Sequence, residues 1–174
     1  KKVLLGVFMA SITIPLTFTI IPVYELLNGM HLTNSLLGLI VAECGGSHIL
    51  FLMLFSSFYA GLPREMEEAA IVDGCGFFQT YARIMFPLAK PVIVTVVIMQ
   101  FIWTWNSFLM PLVLTLSKPE LRTLAVGLYA LQGEHVVDWT GIAAGATIAV
   151  LPVIVVFIAM QKHFVDGIAG AVKS

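Results

Sequence analysis

The sequence predicts an all-α membrane protein, a polytopic helix bundle with four transmembrane helices. Three observations carry that prediction. Apolar residues make up 59% of the chain and charged ones 11%, whereas a soluble domain is about 25% charged. Four segments are apolar and long enough to cross a bilayer. The polar residues gather between those segments instead of alternating through them.

A chain this poor in charge lacks the polar surface to cover a globule in water, and lipid is the natural solvent for the excess. Its net charge of -1 gives no basic footprint for nucleic acid. Cys44 falls inside an apolar run and Cys75 in a polar loop, so they read as two separate free thiols. His31, His48, His135 and His163 have no metal-ligand spacing, and no metal site is expected.

A helix crosses the hydrocarbon core in about 20 residues. The expected spans are residues 3–24, 36–58, 91–116 and 141–160. Lys1-Lys2 before the first could imitate a secretory signal. The apolar run is long enough to span, however, and no Ala-x-Ala cleavage pattern follows. Pro15, Pro22, Pro111 and Pro152 lie within or at the ends of spans, where proline kinks a helix.

Orientation follows from charge. Lys1, Lys2, Arg64, Arg83, Lys90, Lys162 and Lys173 fall on one side, and only Lys118 and Arg122 on the other. Positive residues favour the cytoplasm. Both ends and loop 59–90 are therefore expected on the cytoplasmic side of the membrane. Loops 25–35 and 117–140 face outward.

Loop 59–90 reads as helix–turn–helix. Pro63 suits a first helical turn, and Glu65, Glu67 and Glu68 suit a helix N-terminus, where the dipole favours negative charge. Leu62, Met66, Ala69 and Ala70 share one side. Gly74 suits a left-handed C-terminal cap. A second helical stretch is expected from about Phe77 to Phe86, ended by Pro87. A helix lying on the membrane surface would fit the periodicity too, but such helices usually present Lys and Arg to anionic lipid. An acidic helix with small residues is better suited to docking a protein.

The spacing in this loop resembles the EAA loop of ATP-binding-cassette importers: Glu-Ala-Ala, three residues, Gly, nine residues, then Ile-x-Leu-Pro. Here Glu68-Ala69-Ala70, Gly74, Ile84 and Pro87 keep every interval, and Phe86 replaces the usual Leu. Leu62-Pro63-Arg64-Glu65, Asp73-Gly74, Trp105-Asn106-Ser107-Phe108-Leu109, Thr123 to Leu128 and the tail Gly167 to Lys173 are similar to the carbohydrate-uptake (maltose-type) branch, second permease subunit type. That subunit type usually has six spans. The four expected here match its last four, so two further spans are expected upstream.

The resemblance implies a permease subunit in a prokaryotic cell membrane, forming a heterodimer with a second permease. Two ATPase subunits and an extracytoplasmic solute-binding protein complete the assembly. Glu68, Ala69, Ala70, Asp73, Gly74, Ile84 and Pro87 would couple to the ATPase. The chain has no Gly-Lys-Ser/Thr phosphate loop, so ATP-Mg is expected on the partner subunits and no cofactor on this chain. The outward loop 117–140 would meet the solute-binding protein. Glu67 and Glu68 are no catalytic pair, since adjacent residues point about 100° apart on a helix, and no catalytic residue is expected.

Glu43 and His48 lie inside the second span, where an ionisable group costs about 2.5–3.5 kcal/mol on insertion scales and usually faces a cavity or a partner. The two are five residues apart and do not form an obvious pair. Gln100, Trp103 and Asn106 make a polar-aromatic stripe on the third span, of the kind that holds sugars. A translocation path and ordinary helix packing both remain open for these five residues. Open alternatives for the chain are a permease for another solute (a phosphorylated polyol or a peptide) and an ion-coupled transporter or channel. A membrane-embedded enzyme would need a convergent catalytic set that these residues do not supply.

Overall fold

In the computed structural model, residues 2–45, 49–133 and 136–172 are described. Their regular elements are all helices, with no strand among them. The chain divides into two compact units, residues 1–49 with 101–155 and residues 50–100 with 156–174.

The first unit begins with α1 (Lys2–Ser11) and α2 (Leu16–Gly29). The segment expected as one span is thus broken. Pro15 has no N–H to donate and pushes the residue before it out of helical geometry. The N–H groups of Ile12, Thr13 and Ile14 fall back on carbonyls three residues earlier. At its far end α2 runs five residues past the expected boundary, because Leu27 is one of the most buried side chains of the unit.

The loop after α2 turns sharply, with His31 and Asn34 at positive φ. Ser35 caps α3 (Leu36–Cys44): its hydroxyl accepts from the Gly38 N–H at 3.0 Å and donates to the Leu32 carbonyl at 2.6 Å. Leu27, Leu39 and Leu114 form a core, with Val23, Tyr24, Leu32, Ala42 and Met110 around it. Leu114 belongs to α9 (Leu109–Leu114), against which both α2 and α3 pack. Asn34 ties the loop to the end of α9. Its N–H donates to the Leu114 carbonyl at 3.0 Å, and its Oδ1 accepts from the Ser117 N–H at 3.2 Å. A 3-10 turn at Pro119–Leu121 leads to α10 (Leu124–Ala130), whose Tyr129 meets Phe108 edge-on at 5.2 Å.

The second unit holds most of α4 (Ile49–Ala60), all of α5 (Glu65–Val72) and α6 (Phe77–Thr80), a π turn at Tyr81–Met85, α7 (Phe86–Leu88) and the first part of α8 (Lys90–Trp105). Pro87 does not end the second loop helix as expected. Its ring would clash with the carbonyl four residues back. The π turn widens the ladder just ahead of it, letting the Phe86 N–H reach the Tyr81 carbonyl instead. The chain then bends by 68° into α8 at Ala89, which is completely buried.

The expected third span is likewise broken, at Asn106–Phe108 between α8 and α9. The expected fourth lies within α11 (Trp139–Val172). Its 139–160 stretch, at mean hydropathy 2.7, is the single described helix long and apolar enough to cross a membrane. Counting each bent pair as one span, α3 with α4 and α6–α7 with α8, raises the number to three.

Candidate functional site

The loop between α4 and α8 is built from local rules. The Pro63 carbonyl accepts the Met66 N–H, and Glu65, Glu67 and Glu68 occupy the first turn of α5. At the other end the helix closes in a Schellman motif. The Cys75 N–H donates to the Ala70 carbonyl at 2.9 Å and the Gly74 N–H to the Ile71 carbonyl at 3.0 Å. This closure needs a left-handed residue, and Gly74 sits at φ +79°. Gln79 then starts α6, its side-chain oxygen accepting the Gly76 N–H at 3.2 Å.

The expected coupling residues differ in exposure here. Glu68, Ala69, Asp73, Gly74 and Pro87 are exposed, and Ile84 is half-buried. Ala70 is 1% exposed and lies inside the loop; a larger side chain there would have to push against that interior. Ala69 is the alanine on the outer surface. Beside it stand large apolar groups that the motif spacing does not mark. Val72 is 86% exposed, and Phe77 and Phe78 are each 82% exposed, their rings edge to face at 5.5 Å. The apolar pairs Ile71-Val72 and Phe77-Phe78 on either side of Gly74 were the available signal for this patch, but such pairs do not distinguish a patch from a core.

Beside this patch lies an open groove of about 500 Å³ lined by Tyr59, Glu67, Ile71, Cys75, Phe77, Thr80, Tyr81 and Met85, of which Glu67, Ile71, Phe77 and Tyr81 are themselves exposed. Tyr59 stacks on Phe55 at 6.3 Å and meets Phe58 edge-on at 5.6 Å. Burial pushes its phenol pKa above 10.0, and the neighbouring Tyr81, to which it is hydrogen-bonded, adds to the rise.

Glu43 and Asn106 make separate contacts. Glu43 is half-buried on α3, and one of its carboxylate oxygens accepts from the Ser107 hydroxyl at 2.6 Å. The break at Asn106–Phe108 delivers that hydroxyl. His48 lies outside the described residues. Asn106 is exposed and turns its amide N–H back onto the Ile102 carbonyl at 2.7 Å. Trp103 is 47% exposed, whereas Gln100 is half-buried and belongs to the other unit. Next to Asn106, the Trp105 indole N–H donates to the Ala149 carbonyl at 3.0 Å. That carbonyl adjoins the place in α11 where Pro152 supplies no N–H. Nothing in the sequence spacing pointed to Ser107 or Ala149 as partners, since they lie 64 and 44 residues from the groups they meet.

The described residues, helical in all their regular elements and carrying a helix suited to lipid, are those of a membrane protein. Residues 1–170 match the family described as "Binding-protein-dependent transport system inner membrane component". The chain is 33% identical over 174 residues to the arabinooligosaccharides transport system permease protein AraQ of Bacillus subtilis, covering 99% of this chain and 61% of that one. It is 32% identical over 174 residues to the sulfoquinovosyl glycerol transport system permease protein SmoH of Agrobacterium fabrum, covering 99% and 61%. It is 33% identical over 179 residues to the alpha-glucoside transport system permease protein AglG of Rhizobium meliloti, covering 99% and 47%. The chain thus spans between about half and two thirds of the length of these relatives. It belongs to the binding-protein-dependent transport inner-membrane family.

Proposed function

We propose that this chain forms part of the translocation path of an ATP-driven carbohydrate importer and couples to ATPase subunits through the loop around α5. The observation that carries this reading is the short acidic helix closed by Gly74 at φ +79°. It holds Glu68-Ala69-Ala70 and Gly74 at importer spacing within a chain that matches the transport family over residues 1–170. The loop's exposed Val72, Phe77 and Phe78 supply apolar area that a docking partner would cover.

The carbohydrate class rests on the relatives, whose names include arabinooligosaccharides, alpha-glucosides and sulfoquinovosyl glycerol. Partners on this reading are a second permease subunit, two ATPase subunits carrying ATP-Mg and an extracytoplasmic solute-binding protein. The bundle crosses the membrane four times within this chain, with α1, the α5 loop and the end of α11 at the cytoplasmic side. Glu43, His48, Gln100, Trp103 and Asn106 remain the candidate path residues, of which Trp103 and Asn106 have the exposure that a passing solute requires.

The test is co-purification and uptake with the full-length parent protein. Unmodified protein should retain its ATPase subunit and support ATP-dependent uptake of a labelled oligosaccharide. The double variant Glu68→Lys, Gly74→Asp, inserted equally well, should lose both. Retention of the ATPase by both forms, or binding of none by the unmodified protein, removes the coupling role.

A further inference from the structure

The cavity behind α5 has a composition that a purely structural void does not need. Three aromatic rings (Tyr59, Phe77 and Tyr81) share its wall with the carboxylate of Glu67, while Ile71 and Met85 supply an aliphatic side. Glu67 has no ion pair among the described residues, and none of Arg64, Arg83 and Lys90, the basic residues of loop 59–90, lines the cavity. A positive charge over aromatic faces is attracted by their quadrupoles. A carboxylate beside them accepts charge-assisted hydrogen bonds. The long stem of a basic side chain packs on apolar residues while its head stays polar. Tyr59 and Tyr81 both stand on this wall.

We infer that this cavity is a socket for one basic side chain, preferably arginine, of the ATPase subunit that docks on the loop, with Glu67 pairing its charge and Tyr59, Phe77 and Tyr81 flanking it. The inference rests on the coupling reading above and deepens it. The motif glutamate, Glu68, is outside the lining, so the socket is a second anchor beside the motif. Arginine is preferred over lysine because its planar guanidinium both stacks on rings and pairs two-pronged with a carboxylate. A protein partner is favoured over a free cation by the setting: the cavity sits within the same loop as the exposed Val72, Phe77 and Phe78, which a small ion would leave uncovered.

Cys75 lines the cavity and reports on its occupancy. The experiment uses the full-length parent protein with its other cysteines replaced by alanine, in lipid vesicles with and without the ATPase subunit. The rate of Cys75 alkylation is read with ATPase co-purification scored alongside. Assembly should slow alkylation about tenfold, the scale of one desolvated charged contact. Glu67→Lys, and to a lesser degree Glu67→Gln and Tyr81→Leu, should restore reactivity while the ATPase still co-purifies. Equal reactivity in the assembled and free states overturns the socket, as does protection that survives Glu67→Lys. Protection by vesicles alone overturns it too, since lipid would then fill the cavity. Failure of the ATPase to co-purify with the unmodified loop overturns the coupling reading itself, a different result from ATPase bound with Cys75 still exposed.

Discussion

The Ser107 hydroxyl donates to a Glu43 carboxylate oxygen at 2.6 Å, joining α3 to the break between α8 and α9. Hydrogen bonds between membrane helices measure about 0.6 kcal/mol on average and reach about 1.7 kcal/mol. A 2.6 Å bond to a carboxylate belongs near the upper end of that range. Ser107→Ala should therefore destabilise the folded protein in detergent by about 1–2 kcal/mol. In a double-mutant cycle with Glu43→Ala the two changes should be strongly non-additive, because each removes the same contact. Strict additivity of the two melting shifts would show that the pair contributes nothing.

Glycines at two helix contacts should respond to alanine in different ways. A Cβ on Gly38 would overlap the backbone carbonyl of Leu32, which Ser35 also holds. Backbone fixed on two sides cannot move aside, so Gly38→Ala should cost several kcal/mol or prevent insertion, beyond the ~1–3 kcal/mol typical of overpacking. A Cβ on Gly145 would meet only the far end of the Leu128 side chain. Rotation of Leu128 relieves that contact, and alanine is the better helix former by about 1 kcal/mol. Gly145→Ala should therefore fall within about 1 kcal/mol of the parent. Paired thermal melts of the two variants check the ranking, and equal destabilisation would contradict it.

The difference between those glycines also shows what was legible in the sequence. Short-range signals were readable. The acidic first turn of α5 and the left-handed Gly74 depend on residues a few positions apart, and they stand where propensity puts them. The breaks at 12–15 and 106–108 were not readable from hydropathy, which is as high on one side of each break as on the other. Pro15 accounts for the first only once its N–H is missed by the ladder. The π turn before Pro87 arises because a helix can widen by one residue instead of stopping, an outcome proline's usual role does not suggest. Contacts such as Ser107 with Glu43 depend on which helices become neighbours, and no local pattern encodes that.

Gly74 offers a test of backbone conformation separated from packing. No atom lies within 4 Å of a Cβ built there, so space is not at issue. The cost of Gly74→Ala is then the left-handed penalty alone, about 1–2 kcal/mol. Asparagine tolerates that region better, so Gly74→Asn should cost less than alanine while keeping the Schellman bonds of Cys75 and Gly74. Hydrogen exchange at the Cys75 amide reports the motif directly. It should quicken in the alanine variant and stay close to the parent in the asparagine variant. The opposite order would mean that the closure does not depend on a left-handed residue.

The last prediction concerns pH. Burial first, and then Tyr81, raise the pKa of the Tyr59 phenol above 10.0. The folded state therefore holds this proton after the unfolded chain has begun to release it. The contribution of Tyr59 to stability is complete below pH 10 and is lost as pH climbs from there through the raised value. Replacing Tyr59 by phenylalanine should flatten this alkaline decline. Tyr81→Phe should lower the Tyr59 pKa but leave it above that of a free tyrosine, because burial is the larger cause. Phenolate absorbance, taken as the difference between the parent and Tyr59→Phe across an alkaline titration, gives the Tyr59 midpoint in each background. A midpoint in the Tyr81→Phe background equal to that of free tyrosine would assign the whole shift to Tyr81, and an unchanged one would remove Tyr81 from the account.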